Sequence, residues 1–141
     1  MSTRIRLADT REEIGRCFDV LLELRPHLKA ESFVEQVLRQ QAEGYRLAFL
    51  EEEGRVQACA GYRFSESLSW GRYMYVDDLI TASAAQSRGF GGELLHWLQT
   101  EARAAGCTEF HLDSGVQRFG AHRFYLRERM DIIAHHFALK L

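Results

Sequence analysis

The sequence predicts a single-domain α/β fold, in which a mixed, mostly antiparallel sheet carries helices on both faces. The first observation is the order of apolar patterns: strand, two helices, three antiparallel-looking strands, helix, strand, helix and strand. The second is composition, because 46% hydrophobic residues, 27% charged residues and one proline are typical of a folded globular chain. The third is length: 141 residues without a visible linker suit one domain, residues 1–141.

The N-terminal part is predicted to contain one strand and two helices. The strand runs from Arg4 to Leu7, after which Asp9 or Thr10 caps the first helix. Pro26 interrupts the chain, and the second helix extends from about residue 30 to residue 42. Apolar residues at helical spacing form the buried faces of these helices: Ile14, Cys17, Phe18, Leu21, Leu22, Phe33, Val34, Val37 and Leu38.

The middle of the chain is predicted to form a hairpin and a further strand. Tyr45 to Leu50 and Arg55 to Phe64 are the paired strands, and Gly54 supplies the positive φ of their turn. The three glutamates before Gly54 are interpreted as a solvated tip, because adjacent turn residues point in different directions and do not converge on a metal ion. Arg72 to Thr81 is the next strand.

A glycine-rich segment opens the next helix. Gly89, Gly91 and Gly92 leave its first turn uncovered, and the N–H groups there have no partner and a partial positive charge. Arg88 adds a full positive charge, so the N–H groups of residues 88–92 are predicted to bind a phosphate or a pyrophosphate. The alternative is a glycine-rich turn before a packed helix. The helix buries a stripe of residues and ends before Gly106: Phe90, Leu94, Leu98, Ala102 and Ala105.

Two common phosphate-binding loops are excluded by residue content. A Walker A loop ends in Gly-Lys-Ser/Thr, whereas Gly91 is followed here by Gly92 and Glu93. A Rossmann fingerprint requires a third glycine at the position that Leu94 occupies.

The last part of the chain is predicted to contain a strand over Thr108 to Leu112, a short helix over His122 to Arg129 and a closing strand over Ile132 to Leu139. The closing strand is apolar and could pair with another subunit, so a homodimer is one hypothesis. His135 and His136 would point to opposite faces of that strand, and no metal site is predicted.

Bulk properties exclude several classes of protein. A net charge of -2 gives no reason to expect a nucleic acid or an anionic membrane as partner. No apolar run approaches the length of a membrane span, and the N-terminus lacks the apolar core of a signal peptide, so a cytoplasmic location is expected. The cysteines are odd in number and widely spaced, which predicts buried thiols rather than disulfides: Cys17, Cys59 and Cys107.

Two segments resemble a known family. Gln86-Ser87-Arg88-Gly89-Phe90-Gly91 resembles the Q/R-x-x-G-x-G/A pyrophosphate loop of the GCN5-related N-acetyltransferase (GNAT) family. Ala121-His122-Arg123-Phe124-Tyr125 is similar to the A-x-x-F/L-Y segment of its C-terminal part. The predicted order of strands and helices is also the order that this family shows.

The resemblance implies a site for acetyl-coenzyme A. The backbone at the end of the preceding strand, which splays from its neighbour, would hold the pantetheine arm, with the Ile80 N–H as oxyanion donor. Tyr125 would stand near the sulfur and give its proton to the departing thiolate as general acid. The implied cosubstrate-binding residues are Leu79, Ile80, Thr81, Gln86, Ser87, Arg88, Gly89, Phe90, Gly91 and Gly92.

Asp77 and Asp78 are candidates for the general base or for recognition of a cationic acceptor. Adjacent strand residues face opposite sides, so only one of the two can face the acceptor. By alternation Asp78 shares its face with Ile80 and Asp77 with Leu79, and a bulge would reverse that assignment. By resemblance, the segment around the N-terminal helices lines the acceptor site, which makes Arg25, His27 and Tyr45 substrate candidates. Solvated turn residues are the alternative for these three.

Two positions depart from the family pattern. Arg129 stands where the family usually has glycine, so the turn either forces Arg129 towards a positive φ or lengthens the helix by one residue. Arg118 replaces an asparagine that is common in the family, which puts one contact with the coenzyme in doubt.

The sequence therefore predicts an N-acetyltransferase that uses acetyl-coenzyme A and a primary amine, with direct attack in a ternary complex. The acceptor is not identified by any residue pattern. A non-catalytic acyl-coenzyme A-binding or regulatory domain is the alternative, and a nucleotide-binding protein unrelated to acyl transfer is a third hypothesis.

Overall fold

A computed structural model describes residues 2–141, in two compact units, one that ends at His111 and one that begins at Leu112. The first unit is organised by a sheet whose strands follow one another in space as they do in the chain. The strands are β1 (Thr3–Leu7), β2 (Arg46–Glu52), β3 (Arg55–Ser67), β4 (Gly71–Thr81) and β5 (Glu109–Leu112). The pairs β1–β2, β2–β3 and β3–β4 are antiparallel, and this confirms the predicted antiparallel arrangement of the three middle strands, β2, β3 and β4.

The helices of the first unit are α1 (Arg11–Arg16), α2 (Phe18–Leu24), α3 (Ala30–Ala42) and α4 (Phe90–Ala104), and a 3-10 turn covers Ser83–Ala85. Thr10 caps α1: its hydroxyl accepts the Glu13 N–H at 3.1 Å, and Glu13 accepts the Thr10 N–H at 3.0 Å. The prediction of one continuous first helix is wrong. The Cys17 N–H donates to the Ile14 carbonyl, three residues back, so the helix tightens there and a second helix begins.

Helices cover both faces of the sheet. Residues 47–50 of β2 are all buried. A strand in a sheet with one solvent-exposed face would bury only alternate residues, so both faces of β2 are covered. Leu47 and Phe49 belong to a cluster with side chains of α1, α2 and α3. Ala48 and Leu50 point the other way by strand alternation, to the face where α4 lies against β2, β3 and β4.

The pairing of β3 with β4 contains a bulge. Gly61 is opposite Asp78 and Tyr62 is opposite Val76, so Asp77 is an extra residue with no partner across the ladder. A bulge of this kind bends the strand and interrupts the alternation of side chains.

The second unit contains one helix, α5 (Phe119–Arg127). The predicted closing strand over Ile132 to Leu139 is wrong: residues 131–141 form neither helix nor strand, and the sheet includes no strand from this segment. A strand needs a neighbour for its backbone N–H and C=O groups, which apolar sequence alone does not provide. Large apolar side chains are exposed along this segment: Ile132, Ile133, Phe137, Leu139 and Leu141. Over residues 2–141, no helix combines the length and the hydropathy that a bilayer crossing requires.

Candidate functional site

The segment of residues 86–92, here called the glycine loop, has an open backbone at the start of α4. Gly89 is the residue before the helix and has φ 85° and ψ 3°, a left-handed conformation that favours glycine. No side chain caps the first turn of α4, and a Cβ atom added at Gly89 or Gly92 would meet no atom within 4 Å. The N–H groups of this turn are therefore accessible to a ligand.

The glycine loop contains two left-handed residues. Ser87 has φ 69° and Gly89 has φ 85°, whereas Arg88 between them is not among the residues with positive φ. Both the predicted pyrophosphate site and a plain packing turn are compatible with this backbone.

Arg88 does not point freely into the glycine loop. Its two terminal nitrogens donate to the two carboxylate oxygens of Glu52, each at 2.9 Å. The guanidinium also lies 4.7 Å from the centroid of the Phe90 ring. The positive charge that the sequence places beside the glycines is thus engaged by a carboxylate at the end of β2.

The interpretation of the three glutamates as a solvated tip is wrong for two of them. Strand β2 continues to Glu52, so Glu51 and Glu52 lie on the strand rather than in the turn. Arg16 donates to Glu51 at 2.7 Å and lowers the pKa of its carboxyl, and Arg88 pairs with Glu52. Only Glu53 lies at the turn itself, with φ 53°.

The end of β4 has an edge that β5 does not cover. Leu79, Ile80 and Thr81 pair with β3 on one side. On the other side β5 has four residues, and it starts beside the first part of β4, where the Thr108 N–H donates to the Arg72 carbonyl at 2.9 Å. A strand of four residues does not reach Ile80 from there. This agrees with the expected splay of β4 from its neighbour.

A cavity of about 670 Å³ lies in the first unit between α2, α3 and the bulge of β4. The lining residues that lie on α2 and α3 are uncharged, and those that lie on β3 and β4 are charged. The apolar lining residues are Leu21, Leu28, Phe33 and Val37, and the polar ones are Arg25, His27, Gln36, Gln40, Glu43, Tyr45, Arg63, Asp77 and Asp78.

Asp77 and Asp78 both line this cavity, so the expectation that these adjacent residues face opposite sides is wrong. The bulge is the reason, because it inserts Asp77 without a partner across the ladder and interrupts the alternation of side chains. Nothing in the residues themselves locates this bulge.

Each of the two carboxylates is held by an arginine. Arg63 donates to both oxygens of Asp77, at 2.7 and 2.9 Å. Arg25 donates to Asp78 at 3.1 Å and to the backbone carbonyl of Asp77 at 2.8 Å. The Tyr45 hydroxyl donates to the other oxygen of Asp78 at 2.8 Å. The sequence analysis missed Arg63, because the register that brings it to Asp77 depends on the bulge.

Tyr45 is buried, so its interpretation as a solvated turn residue is wrong, whereas Arg25 and His27 line the cavity with exposed side chains. Burial and the nearby Asp78 raise the pKa of Tyr45 well above its ordinary value, so the phenol keeps its proton. The ring lies over Gly61, where an added Cβ atom would be 1.8 Å from the hydroxyl oxygen. Gly61 therefore leaves the space that the Tyr45 ring occupies beside Asp78, a packing requirement that was not predicted from the sequence.

In the second unit, the site residues lie on α5 and its flanks. Tyr125 is buried, and burial raises the pKa of its phenol, while Arg118 acts in the opposite direction. Arg129 has φ 68°, which confirms the first of the two alternatives for this turn. The Met130 N–H donates to the Tyr125 carbonyl and the Arg129 N–H to the Leu126 carbonyl, so the helix ends as a Schellman motif with arginine at the glycine position.

No group of three or more metal-ligating side chains converges anywhere in residues 2–141.

Comparisons with known proteins identify the same family along most of the chain. The model of the acetyltransferase (GNAT) family matches residues 7–130. An uncharacterised N-acetyltransferase of Bacillus subtilis is 33% identical over 117 residues, which cover 82% of this chain and 82% of the relative. The aminoalkylphosphonate N-acetyltransferase of Salmonella typhimurium is 38% identical over 53 residues, 38% of this chain and 34% of that protein.

Solved structures share the fold at low sequence identity. A GNAT family acetyltransferase of Staphylococcus aureus superposes with a TM-score of 0.84 at 17% identity, over 100% of both chains. An aminoglycoside N-acetyltransferase in complex with coenzyme A superposes with a TM-score of 0.85 at 11% identity, over 99% of this chain and 95% of that one.

Proposed function

Because the chain belongs to the GNAT family of acetyltransferases, we propose that it transfers an acetyl group from acetyl-coenzyme A to a primary amine, by direct attack in a ternary complex. N-acetyltransferase activity follows from the family and from the Bacillus subtilis relative. The cosubstrate, the acceptor class and the roles of individual residues are the further content of the proposal.

The observation that carries the choice of cosubstrate is the uncapped first turn of α4. Its N–H groups follow a left-handed Gly89 and meet no side-chain cap, so they suit the diphosphate of coenzyme A. The uncovered edge of β4 at Leu79, Ile80 and Thr81 supports a place for the pantetheine arm. A neighbour of the same fold is described as a complex with coenzyme A, and this agrees with the assignment.

The acceptor is proposed to be the amine of a small molecule that enters the 670 Å³ cavity. This volume lies within the range of about 300–1,000 Å³ that is usual for small-molecule sites. The carboxylates of Asp77 and Asp78 face a protonated amine, and the apolar wall of α2 and α3 faces the rest of the molecule. The Salmonella typhimurium relative acts on aminoalkylphosphonates, which are small primary amines.

The chemistry requires a neutral amine, a stabilised oxyanion and a proton for the leaving sulfur. Acetyl-coenzyme A supplies the activated acyl group as a thioester. We assign the removal of the ammonium proton to Asp78, with Asp77 as the alternative base, directly or through water. The oxyanion is assigned to a backbone N–H on the open edge of β4; the Ile80 N–H faces β3 instead, because the Ala82 N–H two residues further on donates to the Gln57 carbonyl and Ile80 is opposite Cys59. Tyr125 donates its phenolic proton to the thiolate, for which its raised pKa keeps the proton available.

The test is release of free thiol from acetyl-coenzyme A in the presence of a panel of small primary amines. Amine-dependent release that falls in Tyr125→Phe is the expected result. Calorimetric binding of coenzyme A with no turnover of any amine, and no effect of Tyr125→Phe on binding, would favour the non-catalytic binding domain. Tight ATP binding without coenzyme A binding would favour the nucleotide-binding hypothesis.

A further inference from the structure

The ion pair between Arg88 and Glu52 joins the glycine loop to the sheet. We propose that these two residues act as one positioning unit, which holds the loop in its anion-binding shape, and that the Arg88 guanidinium is not itself a phosphate ligand. The proposal rests on the proposed function for its binding assay, but it concerns Arg88 and Glu52, neither of which is a specified position of the Q/R-x-x-G-x-G/A pattern.

Glu52 is held by more than one restraint. Its side chain is 6% exposed, and among residues 2–141 it is the charged residue that falls in the buried core. It is the last residue of β2, opposite Thr3 of β1 and Arg55 of β3. A buried carboxylate is strongly destabilising unless it is paired. Movement of Arg88 to a phosphate would leave this carboxylate without its partner.

Arg88 is restrained on two sides. The Arg88 guanidinium binds the Glu52 carboxylate in a bidentate ion pair, with two hydrogen bonds of 2.9 Å, which is the strongest geometry for this pair of groups. The face of the guanidinium lies against Phe90, the buried first residue of α4. The side chain therefore connects β2 to the beginning of the helix.

The backbone of the glycine loop needs such support. Ser87, next to Arg88, has φ 69°, a conformation that non-glycine residues adopt only where the surrounding structure determines it. Because Ser87 and Gly89 flank Arg88, fixing the Arg88 side chain restricts the segment that carries both left-handed residues. Loss of either partner of the ion pair should then loosen the same N–H groups.

Two models of Arg88 predict different effects of removing the Glu52 carboxylate. In one, Arg88 is a phosphate ligand; in the other, it is a tether that holds the glycine loop to β2. If Arg88 binds phosphate, Glu52 competes for it, and Glu52→Gln should tighten the binding of coenzyme A. If Arg88 is a tether, Glu52→Gln and Arg88→Gln should weaken binding equally, and the double variant should lose no more than either single one. This is a double-mutant cycle with opposite signs for the two models.

The experiment is calorimetry with coenzyme A on the wild type, the two single variants and the double variant. We expect each of the three variants to raise Kd about tenfold, the loss typical when a supporting residue of a binding site is removed. In the acetyl transfer assay, KM for acetyl-coenzyme A should rise by the same factor while kcat stays within about twofold. The matched control is Glu51→Gln, at the residue next to Glu52 on β2. This variant breaks the ion pair between Glu51 and Arg16 of α1 and should leave Kd within about twofold.

Amide hydrogen exchange on the ligand-free protein tests the tether without coenzyme A. The Glu93 amide, which donates to the Gly89 carbonyl at 3.1 Å, and the amides of the next turn of α4 should exchange at least about tenfold faster in Arg88→Gln and in Glu52→Gln than in the wild type or Glu51→Gln. Unchanged exchange, tighter binding in Glu52→Gln, or additive losses in the double variant would each overturn the proposal. Failure of the wild type to bind coenzyme A would instead overturn the proposed function, and the exchange result would still decide on the tether.

Discussion

Replacement of Gly61 by alanine tests how closely Tyr45 is packed beside the paired carboxylates. The added Cβ atom would lie 1.8 Å from the Tyr45 hydroxyl oxygen, 2.4 Å from Cζ and 2.6 Å from Cε1. All three distances are far below van der Waals contact, and Tyr45 is 6% exposed, so the ring must leave its place in a packed core.

The magnitude follows from three contributions. Forcing an extra methyl group into a packed core costs about 1–3 kcal/mol. Loss of the hydrogen bond from the Tyr45 hydroxyl to the Asp78 carboxylate costs about 1.5–3 kcal/mol, the range for bonds to charged groups. Within a strand, alanine stabilises the folded state by about 0.5–1 kcal/mol relative to glycine, and this offsets part of the lost stability. Gly61→Ala should therefore lower the free energy of unfolding by about 2–5 kcal/mol.

Urea unfolding of the wild type and the variant measures this change. Gly15→Ala is the matched control: it lies in α1, its added Cβ would meet no atom within 4 Å, and it should stabilise by about 0.5–1 kcal/mol. In a Tyr45→Ala background the Gly61→Ala change should become nearly neutral, because the clash partner is gone. A Gly61→Ala protein as stable as the wild type would refute the reasoning.

Three further predictions concern the helix end and the chemistry. Arg129→Gly should be more stable than Arg129→Ala by about 1 kcal/mol in thermal unfolding, since φ is 68° there; equal stability would contradict the assigned backbone. Tyr125→Phe should lower kcat by about 10²–10⁴-fold with little change in KM. Because burial raises the Tyr125 pKa, the phenol is protonated at neutral pH, and the wild-type kcat should fall only as pH rises through that raised pKa; a fall below pH 8 would exclude Tyr125 as the acid. Asp78→Asn should reduce kcat/KM more than Asp77→Asn, because Arg63 binds both oxygens of Asp77 in one ion pair, whereas Asp78 accepts one bond from Arg25 and one from the neutral Tyr45 hydroxyl; the reverse order in the thiol release assay would assign the base to Asp77.

Local chemistry in the sequence was sufficient to predict most of the fold. The hairpin turn at Gly54 and the glycine before α4 depend on φ preferences of single residues, and the structure has positive φ at both positions. The positive φ of Arg129 was one of two alternatives drawn from the family pattern, because arginine itself does not favour it. The element order up to α5 also follows from apolar periodicity, whereas the predicted closing strand is absent. Cys17 is an exception, because a break between two consecutive helices leaves the apolar spacing unchanged.

The parts of the site that were missed depend on partners far away in the chain. The bulge at Asp77 is a property of how β4 meets β3, and Arg63 reaches Asp77 only through that register. The pairing of Glu52 with Arg88 joins residues 36 positions apart. No local pattern marks such pairs, since a glutamate in a charged run looks solvated until its arginine is located.

Asp77 is not needed for the pairing of β3 with β4, although it lines the cavity. Because Gly61 pairs with Asp78 and Tyr62 with Val76, the ladder on either side of Asp77 would be continuous in a chain shortened by that one residue. A deletion there would restore regular pleating and leave every other backbone pair of β3 and β4 intact. It would also remove from the cavity the carboxylate that Arg63 holds at both oxygens, so this one extra residue changes the charged lining of the cavity without being needed by the sheet.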